Sequence, residues 1–107
     1  MEHTALVVLT TLSNEAEARS LVTALVDARL VACGTMITGA RSIYRWEGDV
    51  TEESEVVVLL KTDATKWVAL EAAIRERHPY EVPELLAVPV RYGLDAYLSW
   101  LRSEVTE

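Results

Sequence analysis

Two apolar runs flank the turn Glu47-Gly48-Asp49, and together they are longer than the core of a small domain can cover. Leu30 to Trp46 is rich in β-branched and aromatic residues and is interrupted by Gly34 and Gly39, which predicts one long strand with a bulge or bend. EVVVLLKT, residues 55 to 62, is a solid apolar run and predicts a buried strand. Pairing 40–46 with 50–61 makes a hairpin whose outer half projects past any core that 107 residues can build. A chain with such an arm is expected to lay it against a partner.

The remaining elements follow from periodicity and punctuation. ALVVLTTL, residues 5 to 12, stops at Ser-Asn and reads as a buried strand. Asn14 and Glu17 have capping-box spacing, and Ala18, Leu21, Val22, Leu25 and Ala28 recur at helical intervals, so a helix over 14–29 packs one stripe on a sheet. Asp63 is the expected N-cap of a second helix, with Trp67, Leu70, Ala73 and Ile74 as its apolar stripe and Arg75 and Arg77 in its last turn. Pro79 confines His78 to extended conformations, and Pro79 and Pro83 each fix their own φ, so HPYEVPEL, residues 78 to 85, leaves that helix as a rigid corner. LLAVPVRY, residues 85 to 92, is the fourth strand, and Pro89 assigns it an edge position or a bulge. Gly93 and Asp95 introduce a short final helix with Leu94, Tyr97, Leu98 and Leu101 on one face.

The order β-α-β-β-α-β plus a terminal helix is that of an α+β, ferredoxin-like sandwich, read as one domain over residues 1–107. Its two main helices cover one face of the sheet. With a long apolar hairpin and an edge strand bearing Pro89, the expected cover for the other face is a second copy of the chain.

Composition narrows the partners. Seventeen acidic against ten basic residues leave a formal charge of −7, which argues against nucleic acid, because phosphate contacts need clustered Lys and Arg. Glu47, Asp49, Glu52, Glu53 and Glu55 fall within one nine-residue window, which reads as a solvated charge run at a turn. The apolar runs are too short to span a bilayer, and MEHTALVV lacks the basic and apolar regions of a secretory signal. The lone Cys33 forms no internal disulfide, so the expected compartment is the cytoplasm.

Few residues are candidates for chemistry. Cys33 lies within an apolar strand, as either a small hydrophobe or a ligand. His78 sits where it favours the dipole of the preceding helix, and its stiff backbone, with Tyr80 and Glu81 close behind, equally suits a metal ligand. His3 belongs to an N-terminal tail and is expected to be solvated. Lys61 ends a run of hydrophobes and either snorkels to water or projects into a cleft. Tyr44, Trp46, Trp67, Tyr97 and Trp100 read as core and interface residues. There is no glycine-rich phosphate loop, dinucleotide fingerprint or pairable nucleophile and base, so the residues favour a binding or assembly protein over an enzyme.

Leu30-Val31-Ala32-Cys33, Ser42 to Gly48 with its Tyr44-x-Trp46-x-Gly48, Lys61-Thr62, and His78-Pro79-Tyr80-x-x-Pro83-Glu84, followed by Gly93 and Tyr97 to Leu101, form one ordered set over nearly the whole chain. This set resembles the CutA family of divalent-cation tolerance proteins. The resemblance implies a ferredoxin-like protomer in a homotrimer whose hairpins pair across subunits, similar in plan to the PII signal-transduction proteins. It implies tolerance to copper and other divalent metals in the bacterial cytoplasm, with Cu(II) or another divalent cation as the bound species. Animal relatives are linked instead to anchoring acetylcholinesterase.

Carried over residue by residue, His78, Cys33 and Glu81 are the implied metal ligands, and Lys61, Tyr80 and Trp46 the implied wall of a cleft between subunits. Thr10 stands where some copper-binding relatives have cysteine, Arg77 where they have a second histidine, and Gly34 where the family has asparagine. Loss of a soft thiolate and an imidazole implies weaker Cu(II) binding. A PII-like sensor of a small ligand and a purely structural trimer are the alternative readings.

Overall fold

The computed structural model describes residues 4–106; His3 therefore lies outside the described residues. In chain order the elements are β1 (Ala5–Leu12), α1 (Glu15–Asp27), β2 (Cys33–Trp46), β3 (Asp49–Asp63), α2 (Trp67–Arg77), β4 (Leu85–Pro89) and α3 (Asp95–Glu104), with a 3-10 turn at Ala64–Lys66 before α2. The four strands make one antiparallel sheet in the order β2-β3-β1-β4. This is the ferredoxin-like α+β arrangement expected from the order of elements.

Strand alternation decides where the core lies. Val8 and Leu12 of β1 and Val56, Val58 and Leu60 of β3 point to one face, where they meet Leu21 and Leu25 of α1 and Leu70 and Ile74 of α2. Each such side chain contributes roughly 1.5–3 kcal/mol by leaving water. Helix α3 lies elsewhere: Leu101 and Val105 pack on Ala32 and Ala5 at one end of the sheet. Of the stripe expected on it, Leu101 is buried and Leu94 is exposed.

Local chemistry moves several boundaries. Asn14 caps α1 as its spacing predicts, its Oδ1 accepting from the Glu17 amide at 2.8 Å. Strand β2 starts at Cys33 because the amides of Ala28, Arg29 and Leu30 close the helix on Ala24, Val26 and Leu25 instead of entering the ladder. Asp63 caps the 3-10 turn, accepting from the amide and hydroxyl of Thr65 at 3.0 and 2.6 Å, so α2 itself begins at Trp67. Strand β4 is an edge strand and ends at Pro89, three residues short of the expected Tyr92; the amide of Val90 makes one further bond to the Ala5 carbonyl at 2.9 Å.

The arm is the feature that lengthens the molecule, whose extents are 44 × 26 × 24 Å. Beyond Val56, strand β3 has no partner except β2, so residues 40–46 and 49–55 form a two-stranded ribbon. At its tip Glu47 and Gly48 both take positive φ, 48° and 87°, the geometry of a tight two-residue hairpin turn. At its root Ile37 faces Val57 but Ala40 faces Glu55, so Thr38 and Gly39 oppose Val56 alone. Gly39, at φ 82°, supplies this bulge, whereas Gly34 stays in register opposite Leu60.

Among the described residues, one buried side-chain polar atom lacks a partner. Thr10 is fully buried on the helix-covered face, opposite Val58, and its Oγ1 has no hydrogen bond. Thr10→Val keeps the shape and removes the uncompensated hydroxyl, so it is expected to raise stability by about 1 kcal/mol. A higher urea midpoint at unchanged m-value is the result that checks it.

Candidate functional site

The face of the sheet turned away from α1 and α2 is bare over much of its area. Cys33, Lys61, Val7 and Val88 form one cross-strand row, and Thr35, Leu59, Leu9 and Leu86 the next. Ile37, Leu86 and Val88 are 46 %, 58 % and 58 % exposed, a large uncovered apolar area for a small protein. Lys61 crosses this face, and among the described residues its Nζ donates to Thr35 Oγ1 at 2.9 Å and to the Leu59 carbonyl at 3.4 Å. Beside it the Cys33 Sγ lies 3.6 Å from the Tyr97 hydroxyl of α3.

At the other end of β1 stands the corner that follows α2. His78 ends the helix, its amide donating to the Ile74 carbonyl at 2.8 Å, and turns to extended backbone at φ −73° and ψ 134° as Pro79 requires. Its ring is buried, 7 % exposed. Nε2 lies 2.8 Å from the Thr11 carbonyl, and Nδ1 accepts from the Tyr80 amide at 3.1 Å. A carbonyl can only accept and an amide N–H can only donate, so the imidazole is neutral with its proton on Nε2. The Tyr80 ring lies 4.8 Å from the His78 ring, and its hydroxyl donates to Glu55 Oε2 at 3.1 Å. Farther along the same face of the arm, the Tyr44 hydroxyl donates to Glu53.

These contacts hold protons on the phenols. Tyr80 is pushed up to about 12 by its burial and by donating to the Glu55 carboxylate. Tyr97 is pushed up to about 12 by its bond with Cys33 and by burial. Donation to Glu53 raises Tyr44 above its ordinary value. A folded value above the unfolded value of 10.0 means that the native state holds more protons between these limits, so the stabilisation is whole below pH ~10 and is lost as pH rises toward 12. In a spectrophotometric titration Tyr80 and Tyr97 are expected to ionise late, and Tyr80→Phe and Tyr97→Phe should each delete one late step.

The implied ligands do not meet within one chain. The row holding Cys33 lies four residues along the sheet from Thr11, the acceptor of His78, which is about 13 Å at ~3.3 Å per residue. Glu81 is exposed and lines a shallow groove with Arg75, Glu76 and Pro83. Both ring nitrogens of His78 are committed to backbone, and no group of three His, Cys, Asp or Glu side chains gathers among the described residues. The described residues of a single copy thus bring no three such donors together.

The implied cleft residues are also spread out: Tyr80 is at the corner, Lys61 is on the bare face, and Trp46 is at the arm tip opposite Asp49, 64 % exposed. Reading the sequence missed Tyr97, Glu55 and Glu53 as partners of these groups. Glu53 and Glu55 were expected to be merely solvated, yet their i, i+2 spacing on a strand puts both on the face that carries Tyr44 and Tyr80. Nothing local could have linked Tyr97 to Cys33, 64 residues away.

Fold and face together define a ferredoxin-like α+β protein with an apolar sheet surface left open and a long two-stranded arm. Among the described residues no helix is long and apolar enough to cross a membrane. The family described as CutA1 divalent ion tolerance protein matches residues 6–104. The divalent-cation tolerance protein CutA of Pectobacterium atrosepticum is 43 % identical over 101 residues, covering 94 % of this chain and 92 % of its own. The solved divalent cation tolerance protein of Thermus thermophilus superposes with a TM-score of 0.91 at 42 % identity, covering 94 % of this chain and 97 % of that one. The CutA1 structure from Oryza sativa gives 0.94 at 32 % identity, covering 97 % and 95 %. The chain belongs to the CutA1 divalent ion tolerance family.

Proposed function

We propose that this chain serves divalent-cation tolerance as a cytoplasmic homotrimer of single-domain protomers, with Cu(II) or another divalent cation bound where copies meet. The observation that carries the assembly is the bare sheet face: Leu9, Leu59, Leu86 and Val88 adjoin on it, and the arm with exposed Trp46 extends it outward. Family membership supports the cation. Because the donors of one copy lie apart, Cys33 and Glu81 bind metal on this reading only with groups from a neighbouring copy. His78 joins them only by giving up the Thr11 carbonyl or the Tyr80 amide. Lys61, Tyr80 and Trp46 then line the cleft between copies. The role is binding and assembly, without catalysis and without nucleic-acid or membrane partners.

A second reading, the purely structural trimer, is favoured by the engagement of both His78 nitrogens. Calorimetric titration of Cu(II) into tag-free, metal-stripped protein, with mass measured by sedimentation in the same samples, separates the two. The cation reading expects a trimer that binds copper stoichiometrically and loses at least tenfold in affinity in Cys33→Ser or Glu81→Gln while staying trimeric. An isotherm indifferent to both substitutions in an intact trimer leaves the structural reading. A chain that stays monomeric at every concentration removes both. Copper tolerance and subcellular fractionation of a strain lacking the protein test the role and the compartment.

A further inference from the structure

We propose that the His78-Pro79-Tyr80 corner is a strut that sets the angle of the β2–β3 arm. The arm needs one. Its two strands leave the four-stranded sheet through the bulge between Ile37 and Ala40, where Gly39 at φ 82° has open space around its Cα, and no third strand continues alongside. A two-stranded ribbon hinged at a glycine bulge has a tilt that backbone pairing alone does not fix.

Glu55, opposite Ala40, is the first β3 residue on the arm side of that bulge. Among the described residues, Tyr80 to Glu55 at 3.1 Å is the one side-chain hydrogen bond that joins the body of the protein to the arm. The phenol reaches it from a rigid base. Thr11 at the end of β1 holds the His78 ring, the ring's other nitrogen holds the Tyr80 amide, and Pro79 restricts the backbone between them. The path therefore runs from the end of a central strand to the arm root in three hydrogen bonds, the last of them to a carboxylate. This deepens the homotrimer reading, on which its consequence for assembly rests: an arm held at one angle meets a neighbouring copy without first losing orientational freedom.

The test uses nitroxide labels at Thr23→Cys on α1 and Val50→Cys near the arm tip, in a Cys33→Ser background, with labelled chains diluted in unlabelled protein. The strut predicts a narrow distance distribution that broadens in Tyr80→Phe and in Glu55→Leu. Sedimentation should show the dissociation constant of the assembly rising about tenfold for each, equivalent to ~1.4 kcal/mol. Tyr80→Phe removes only a hydroxyl, and unchanged circular dichroism keeps a loosened arm distinct from an unfolded protein. Distributions as narrow as the parent's in both variants overturn the strut. A parent that is monomeric overturns the homotrimer reading alone, since the distances still decide the strut.

Discussion

Replacing His78 with alanine is expected to lower the unfolding free energy by about 2–4 kcal/mol and the melting temperature by roughly 10 °C or more. The imidazole is 7 % exposed and satisfies two backbone groups at once, the Thr11 carbonyl at 2.8 Å and the Tyr80 amide at 3.1 Å. Alanine leaves a cavity and strands both groups, and a buried donor or acceptor without a partner costs about 1–3 kcal/mol. Equilibrium denaturation measures the loss. Long-range nitrogen–proton correlations on the parent should show the proton on Nε2 at neutral pH. A His78→Ala protein within about 0.5 kcal/mol of the parent would show that the imidazole is not what holds the corner.

Gly34→Asn is expected to cost about 2–3 kcal/mol, although asparagine is the residue that the family pattern implies at this position. A Cβ on Gly34 would stand 2.7 Å from Val22 Cγ1 and 3.0 Å from Leu60 Cδ2. Val22 belongs to α1 and Leu60 is fully buried on β3, so relief requires Val22 to leave its rotamer or the helix to shift from the sheet. The same substitution with Val22→Ala should recover a large part of the loss. The coupling in that double-mutant cycle measures how far the glycine and the valine fit each other. Additive losses would place the strain elsewhere than at this contact.

Much of the fold was legible because the signals were local. The short apolar, β-branched runs ALVVLTTL and EVVVLLKT, helical spacing from Ala18 to Leu25, and the Asn14 cap each specified an element through one physical rule. The ends were less legible wherever backbone amides found other partners, as at Leu30 and Val90, since no side chain announces such a choice. Gly34 and Gly39 looked alike in sequence, yet one relieves packing against α1 and the other supplies a positive φ. The candidate site was harder still. That His78 is stiff could be read from Pro79, but both of its side-chain partners are backbone atoms, invisible to residue identity. Cys33 and Tyr97 are joined only by the docking of α3.

The bulge at Thr38 and Gly39 also acts as a parity switch. Inside it, odd-numbered residues of β2, Cys33, Thr35 and Ile37, look out from the bare face; beyond it the even-numbered Ala40, Ser42, Tyr44 and Trp46 do. Because β3 runs through without a matching bulge and directly paired residues share a face, deleting Thr38 or Gly39 would make the ladder regular and leave Ala40, Ser42, Tyr44 and Trp46 on the face they now occupy, removing only the bend. Lengthening both strands at the tip by two residues each would leave every existing side chain on its own face. The reach of the arm can therefore change at its tip, and its bend at its root, without altering which side chains each face presents.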